Sequence, residues 1–261
     1  MKLKYHFLHF VLFIIIILLM GIYHIEKRIS LATRNKTLYY QKIPKDTILS
    51  IGIIGDSWAY NSHTYNMELF IDSILTQNKI YSHIVTRGKK GAKSKDLYQF
   101  LTDSNNHQHN INNQFDYCII YIGINDLHGQ YGATYYIHHT SLIINHLLKR
   151  NIKPILIEIP YFYNESQYDK YPFWKIFCYR MLSLYTNRNF DLDNLNLYRR
   201  KMEIYMNDNF INNNIIYIKT DTILKHNPSF YTDDMHINEL GYKALYTNIL
   251  KEILIDIKKY K

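Results

Sequence analysis

The sequence predicts an α/β domain on a mostly parallel five-stranded sheet, and three observations carry that expectation. Five short apolar runs, each of strand length and most of them rich in isoleucine, recur between residues 48 and 218. Most of the stretches between them have helical periodicity, and strands alternating with helices imply a parallel sheet covered on both faces. A chain of 261 residues with 47% hydrophobic content has room for one such domain and an appendage.

The appendage comes first. Phe7–Tyr23 is almost continuously apolar behind Lys2 and Lys4, with His9 its one ionisable member. Its length lies at the lower edge of the about 17–25 residues that cross a bilayer. A cleaved signal peptide is the rival reading, but Met20-Gly21-Ile22-Tyr23-His24 is a poor small-x-small exit. Residues 1–23 are therefore expected to be an uncleaved membrane anchor, 24–46 a basic polar stalk, and 47–261 the globular body. Lys27, Arg28, Arg34 and Lys36 outnumber the lysines ahead of the segment, which favours a cytoplasmic body. Long domains, however, translocate largely regardless of such charges.

Within the body the first strand is Ile48–Ile54, broken abruptly by Gly55-Asp56-Ser57, with a helix over Met67–Leu75. The second strand is Ile80–Val85, followed by Arg87-Gly88-Lys89-Lys90-Gly91-Ala92 and a helix over Lys95–Leu101 capped by Ser94. Asn105–Gln114 reads as a solvated loop. His107 and His109 lack a second ligand pair at metal spacing, so no metal is expected. Tyr117–Ile122 forms the third strand and delivers Gly123-Ile124-Asn125-Asp126. Ile137, Ser141, Ile144 and Leu148 recur at helical spacing, placing a helix over Tyr135–Arg150. Pro154–Ile159 is the fourth strand and Ile215–Ile218 the fifth. Tyr161–Asn209 reads as a helical insertion whose aromatics serve either packing or the wall of a sugar-binding cleft. Glu239–Lys259 is the last helix.

A net charge of +9 invites a nucleic-acid reading. No basic run interleaved with aromatics accompanies it, so a solvated surface and no nucleic-acid partner are expected. Two cysteines make no disulfide framework, and Cys118, inside an apolar strand, reads as a small buried hydrophobe.

The chemistry sits at strand ends, where open α/β sheets keep their crevices. A serine hydroxyl such as that of Ser57 is a weak nucleophile and needs a base beside it. Among the histidines, His236 follows a carboxylate, Asp233, by three residues in a loop ahead of a helix. One turn can let Asp233 hold one imidazole nitrogen while the other faces Ser57. The same residues would also serve as an ordinary helix-capping region. Oxyanion donors are on offer from the Ser57 N–H, the Gly91 N–H and the Asn125 amide, although Gly-Asp-Ser and Gly-Ile-Asn-Asp are also common turn sequences. Asp56 reads as a hydrogen-bond acceptor fixing its loop, and Trp58, His63 and His128 as packing or substrate-contacting neighbours.

Taken in order, Gly55-Asp56-Ser57, Gly91, Gly123-Ile124-Asn125-Asp126 and Asp233-x-x-His236 resemble the blocks of the SGNH (GDSL-type) hydrolases over about residues 47–261. The resemblance implies a flavodoxin-like three-layer α/β/α sandwich and ester hydrolysis without metal or cofactor. It assigns Ser57, Asp233 and His236 to the catalytic triad, and Ser57, Gly91 and Asn125 to the oxyanion hole. The sequence departs from the family in three places: Trp58 replaces a common Leu, Thr86-Arg87-Gly88 lacks an Asn, and Asp234 replaces a frequent Gly. The expected function is a membrane-anchored serine esterase removing acyl groups, acetyl foremost among them, from a carbohydrate or cell-envelope glycan. The family's usual ester substrates place the body outside the cytoplasm. An O-acyltransferase using the same triad and a non-catalytic glycan-binding scaffold are the alternatives.

Overall fold

The computed structural model describes residues 9, 11–20, 48–102, 115–129, 131–160, 173, 195–209, 215–224, 227–233 and 235–259. Five strands, β1 (Ile48–Gly55), β2 (Tyr81–Gly88), β3 (Tyr117–Tyr121), β4 (Lys153–Ile157) and β5 (Ile216–Ile218), form one sheet in the order β2-β1-β3-β4-β5. Every pairing is parallel. The isoleucines of β1 explain its central place. Ile51, Ile53 and Ile54 are buried, as a strand covered on both faces requires, and every residue of β3 and β4 is buried as well. Cys118 is one of them, a buried free thiol.

The helices are α1 (Ser57–Thr64), α2 (Met67–Gln77), α3 (Ser94–Thr102), α4 (Ile124–His128), α5 (Ala133–Leu148), α6 (Leu195–Asn209), α7 (Asp221–Leu224) and α8 (Glu239–Lys258). Right-handed crossovers sort them by direction of travel along the sheet. The step from β1 to β2 runs one way and the later steps run the other, so the connecting helices divide between the two faces. Accordingly α2 packs with α8, while α3, α5 and α6 pack in a second row. The strand order reverses between β1 and β3, and that switch point opens a crevice at their carboxyl ends.

One buried ion pair ties the sheet to its last helix. Lys153 Nζ of β4 donates to Asp256 Oδ1 (2.7 Å), and the Tyr117 hydroxyl of β3 donates to Asp256 Oδ2 (2.8 Å). Neither charge is left alone, which a buried ion requires.

Several expectations need correction. Residues 57–64 form a helix of their own, ahead of the one expected over Met67–Leu75. Ser94 does not cap its helix. It is the first helical residue, and its hydroxyl donates to Asp126 Oδ1 (2.6 Å), while the Lys93 N–H is met by Asp96 Oδ2 (3.1 Å). Gly123-Ile124-Asn125-Asp126 opens the short helix α4 rather than a bare turn.

Of the proposed anchor, residues 9 and 11–20 are described, and they are helical. Among the described residues no helix is long and apolar enough to cross a membrane. The stalk over 24–46, the loop over 105–114 and most of the insertion over 161–194 lie outside the described residues.

Candidate active site

Ser57 stands at the first position of α1, just past the carboxyl end of β1. Asp56 is the helix N-cap, and its Oδ1 accepts from the Trp58 N–H (2.9 Å). The Asp56 N–H donates to the Tyr121 carbonyl (3.0 Å), locking the turn onto β3. The first N–H groups of a helix have no partner within it and carry its positive end, so the Ser57 N–H sits where an anion is favoured.

His236 and Asp233 reach the same place from the loop before α8. Ser57 Oγ lies 3.1 Å from His236 Nε2, across 179 residues of chain. His236 Nδ1 lies 2.8 Å from Asp233 Oδ2 and 3.0 Å from Oδ1. Asp233 Oδ1 also accepts from the backbone N–H groups of Met235 (2.8 Å) and His236 (2.7 Å). Partial burial works against its charge, but donation from Met235 and then from His236 outweighs it and holds the carboxyl below its ordinary range. A Tyr231–Ile237 bridge pins the loop, and Asn238 caps α8 by accepting from the Gly241 N–H (3.1 Å). Asp234 lies outside the described residues.

The two halves of the site are fastened to each other. Trp58 Nε1 donates to the Met235 carbonyl (3.1 Å), and the Tyr242 hydroxyl of α8 donates to the Trp58 carbonyl (2.7 Å). The Ser62 and Tyr246 hydroxyls meet at 2.6 Å. Trp58 is therefore buried cross-bracing between nucleophile and base, not a substrate contact. His63 pairs with Glu68 (2.7 Å). His128 Nε2 lies 2.6 Å from Met235 Sδ, beside the base loop.

The oxyanion candidates are placed as follows. Gly91 is exposed at φ +75° with no atom within 4 Å of where a Cβ would stand, a conformation that favours glycine and leaves its backbone open to a ligand. Asn125 Nδ2 donates to the Ala92 carbonyl (3.0 Å) and lies 3.4 Å from Asp56 Oδ2. The second contact is at the long limit of a hydrogen bond, so that hydrogen is the one a substrate oxygen can claim.

Two buried carboxyls lie beneath these loops, a feature that periodicity and motif give no sign of. Asp126 accepts from both the Ser94 N–H (2.9 Å) and hydroxyl (2.6 Å). Burial pushes Asp126 up to about 7, more than the Ser94 donations pull it down. Asp56 is likewise pushed up to about 7, first by burial and further by Asp126, against the pull of the Trp58 N–H. A recess with about 200 Å³ of empty space, its open mouth included, lies beside Asp56 and Trp58 and is walled by Ile122, Ile157 and Ile159. Neither Ser57 nor His236 lines it, so the reacting atoms lie outside this recess. Among the described residues no three His, Cys, Asp or Glu side chains gather as a metal site.

No family model and no curated protein sequence matches the chain. Solved structures do match it. An acetyl xylan esterase is similar at 18% identity and a TM-score of 0.55, over 78% of this chain and 100% of that one. A lipolytic protein of the G-D-S-L family from Veillonella parvula is similar at 15% identity and a TM-score of 0.55, over 78% and 97%. A psychrotrophic esterase from Pseudoalteromonas sp., solved with monoethylphosphonate as inhibitor, is similar at 14% identity and a TM-score of 0.53, over 78% and 98%. The fold of the described domain is that of the GDSL-type lipases and esterases.

Proposed function

We propose that this protein is a serine esterase that removes acetyl groups from a carbohydrate of the cell envelope through an acyl-serine intermediate. The observation that carries the reading is the unbroken chain from Ser57 Oγ through His236 to Asp233. His236 Nε2 takes the hydroxyl proton as Oγ attacks the ester carbonyl, and Asp233 holds the imidazolium that forms. The N–H groups of Ser57 and Gly91 and the Asn125 amide receive the oxyanion, each such donor contributing about 10²–10³ in rate. Collapse expels the sugar alcohol, which takes its proton from His236, and a water repeats the sequence on the acyl-serine.

Hydrolysis is favoured over transfer by the openness of the base. The His236 side chain is 26% exposed, which leaves the base open to water. The likeness to an acetyl xylan esterase supports the acetyl and carbohydrate choice. Phe7–Tyr23 anchors the enzyme, a reading supported by the exposed apolar side chains of residues 12–20 and tested by alkaline extraction of membranes, and the body lies outside the cytoplasm, tested by protease treatment of intact cells.

The deciding experiment measures acetate release from 4-nitrophenyl acetate and from acetylated xylan by the full chain in detergent. Ser57→Ala should lower both rates by at least about 10³-fold and abolish labelling by a fluorophosphonate. Full activity in Ser57→Ala would overturn the assignment.

A further inference from the structure

The segment Arg87–Lys95 carries five basic residues and no acidic one. It is fastened to the rim of the crevice. The Lys89 N–H donates to the carbonyl of Gly55, two residues ahead of the nucleophile (2.9 Å). Lys90 Nζ stands 4.4 Å from the ring centroid of Tyr60, which lies one helical turn beyond Ser57. On the far side of Gly91, Lys93 Nζ stands 5.1 Å from the ring centroid of Tyr131. Ammonium groups held over aromatic faces thus flank Gly91 on both sides.

The nearby carboxylates have other work. Asp96 answers Lys93 at 4.0 Å, Asp126 takes the Ser94 donors, Asp56 holds the Trp58 N–H, and Asp233 holds His236. Among the described residues no carboxylate pairs with Lys89 or Lys90, and both are exposed. Like charges crowded on one loop repel each other, and the aromatic faces under Lys90 and Lys93 hold those two ammonium groups in place without neutralising them. A charged rim beside a crevice concentrates ligands of opposite sign.

We propose that this rim selects esters carried on an anionic glycan, one whose sugars bear carboxylate or phosphate groups near the acetylated hydroxyl. The proposal deepens the esterase reading and rests on it for the chemical step.

The test compares acetylated polygalacturonate, acetylated dextran phosphate and neutral acetylated dextran as substrates for wild type and the double variant Lys89→Gln/Lys90→Gln. Wild type should prefer a charged polymer by about tenfold in kcat/KM at low salt, and the preference should fade as ionic strength passes about 0.15 M. The double variant should lose most of that preference. Which charged polymer is favoured separates carboxylate from phosphate. A preference that is absent in wild type, or unchanged in the variant, overturns the proposal. Binding of the same polymers to Ser57→Ala separates the two readings. If no polymer is hydrolysed but the charged ones bind through Lys89 and Lys90, the esterase reading falls and the anion rim stands. If the charged polymers bind no better than the neutral one, the rim proposal falls.

Discussion

Asp233 shows how one side chain can serve two demands. Its Oδ1 takes the N–H groups of Met235 and His236, which shapes the loop, and the carboxylate also holds the imidazole at Nδ1. Asp233→Asn keeps an oxygen for the backbone donors but can turn its NH₂ toward Nδ1, favouring the tautomer whose Nε2 carries a proton and cannot accept one. We expect kcat to fall by about 10³–10⁴-fold with little loss of stability, checked by steady-state kinetics beside thermal melting. Ser57, Asp233, His236, Gly91 and Asn125 were all legible as residue types at motif spacing. What spacing could not show is how Asn125 is occupied, because its partners Ala92 and Asp56 belong to loops that only the folded sheet brings together.

Among the elements, the joint between β2 and α1 leaves no room for a side chain. A Cβ on Gly88 would stand 2.1 Å from the Tyr60 backbone nitrogen, a clash with main chain that no rotamer relieves. Gly88→Ala should therefore push α1 off the sheet, costing about 1–3 kcal/mol in melting experiments and lowering activity through the displaced Ser57. The strands were readable because short runs dominated by apolar residues at strand length leave little choice, and each lies within a few residues of its expected bounds. Helix α1 was not readable. SWAYNSHT has neither a clean apolar stripe nor a charged one, and α1 is held instead by Tyr242 and Tyr246, which lie about 180 residues away along the chain. Ser94 misled for a related reason. Its type suits a cap, but Asp126 of α4 claims its hydroxyl.

For the whole molecule, the buried carboxyls set how stability varies with pH. Asp56 and Asp126 have folded values raised to about 7 from an ordinary 3.8, so the native state binds more protons than the unfolded chain between those limits. Their contribution is present below pH about 4 and is lost as pH rises through about 7. Buried His139 and half-buried His146, lowered to about 4, act in the opposite sense over pH 4 to 6.5, so the wild-type profile partly cancels. Asp126→Asn isolates the carboxyl. Between pH 5 and pH 8 this variant should lose less stability than wild type, or gain more, the two pH profiles diverging by on the order of 1 kcal/mol in denaturant titrations. An unchanged slope would mean Asp126 titrates in its ordinary range.

The span between Ser57 and His236 has a consequence during synthesis. The serine emerges early and its base 179 residues later, with the bracing tyrosines of α8 later still. A ribosome-bound chain therefore displays an unactivated hydroxyl for most of its translation. On the proposed reading, ester cleavage therefore begins only once the fold is nearly complete.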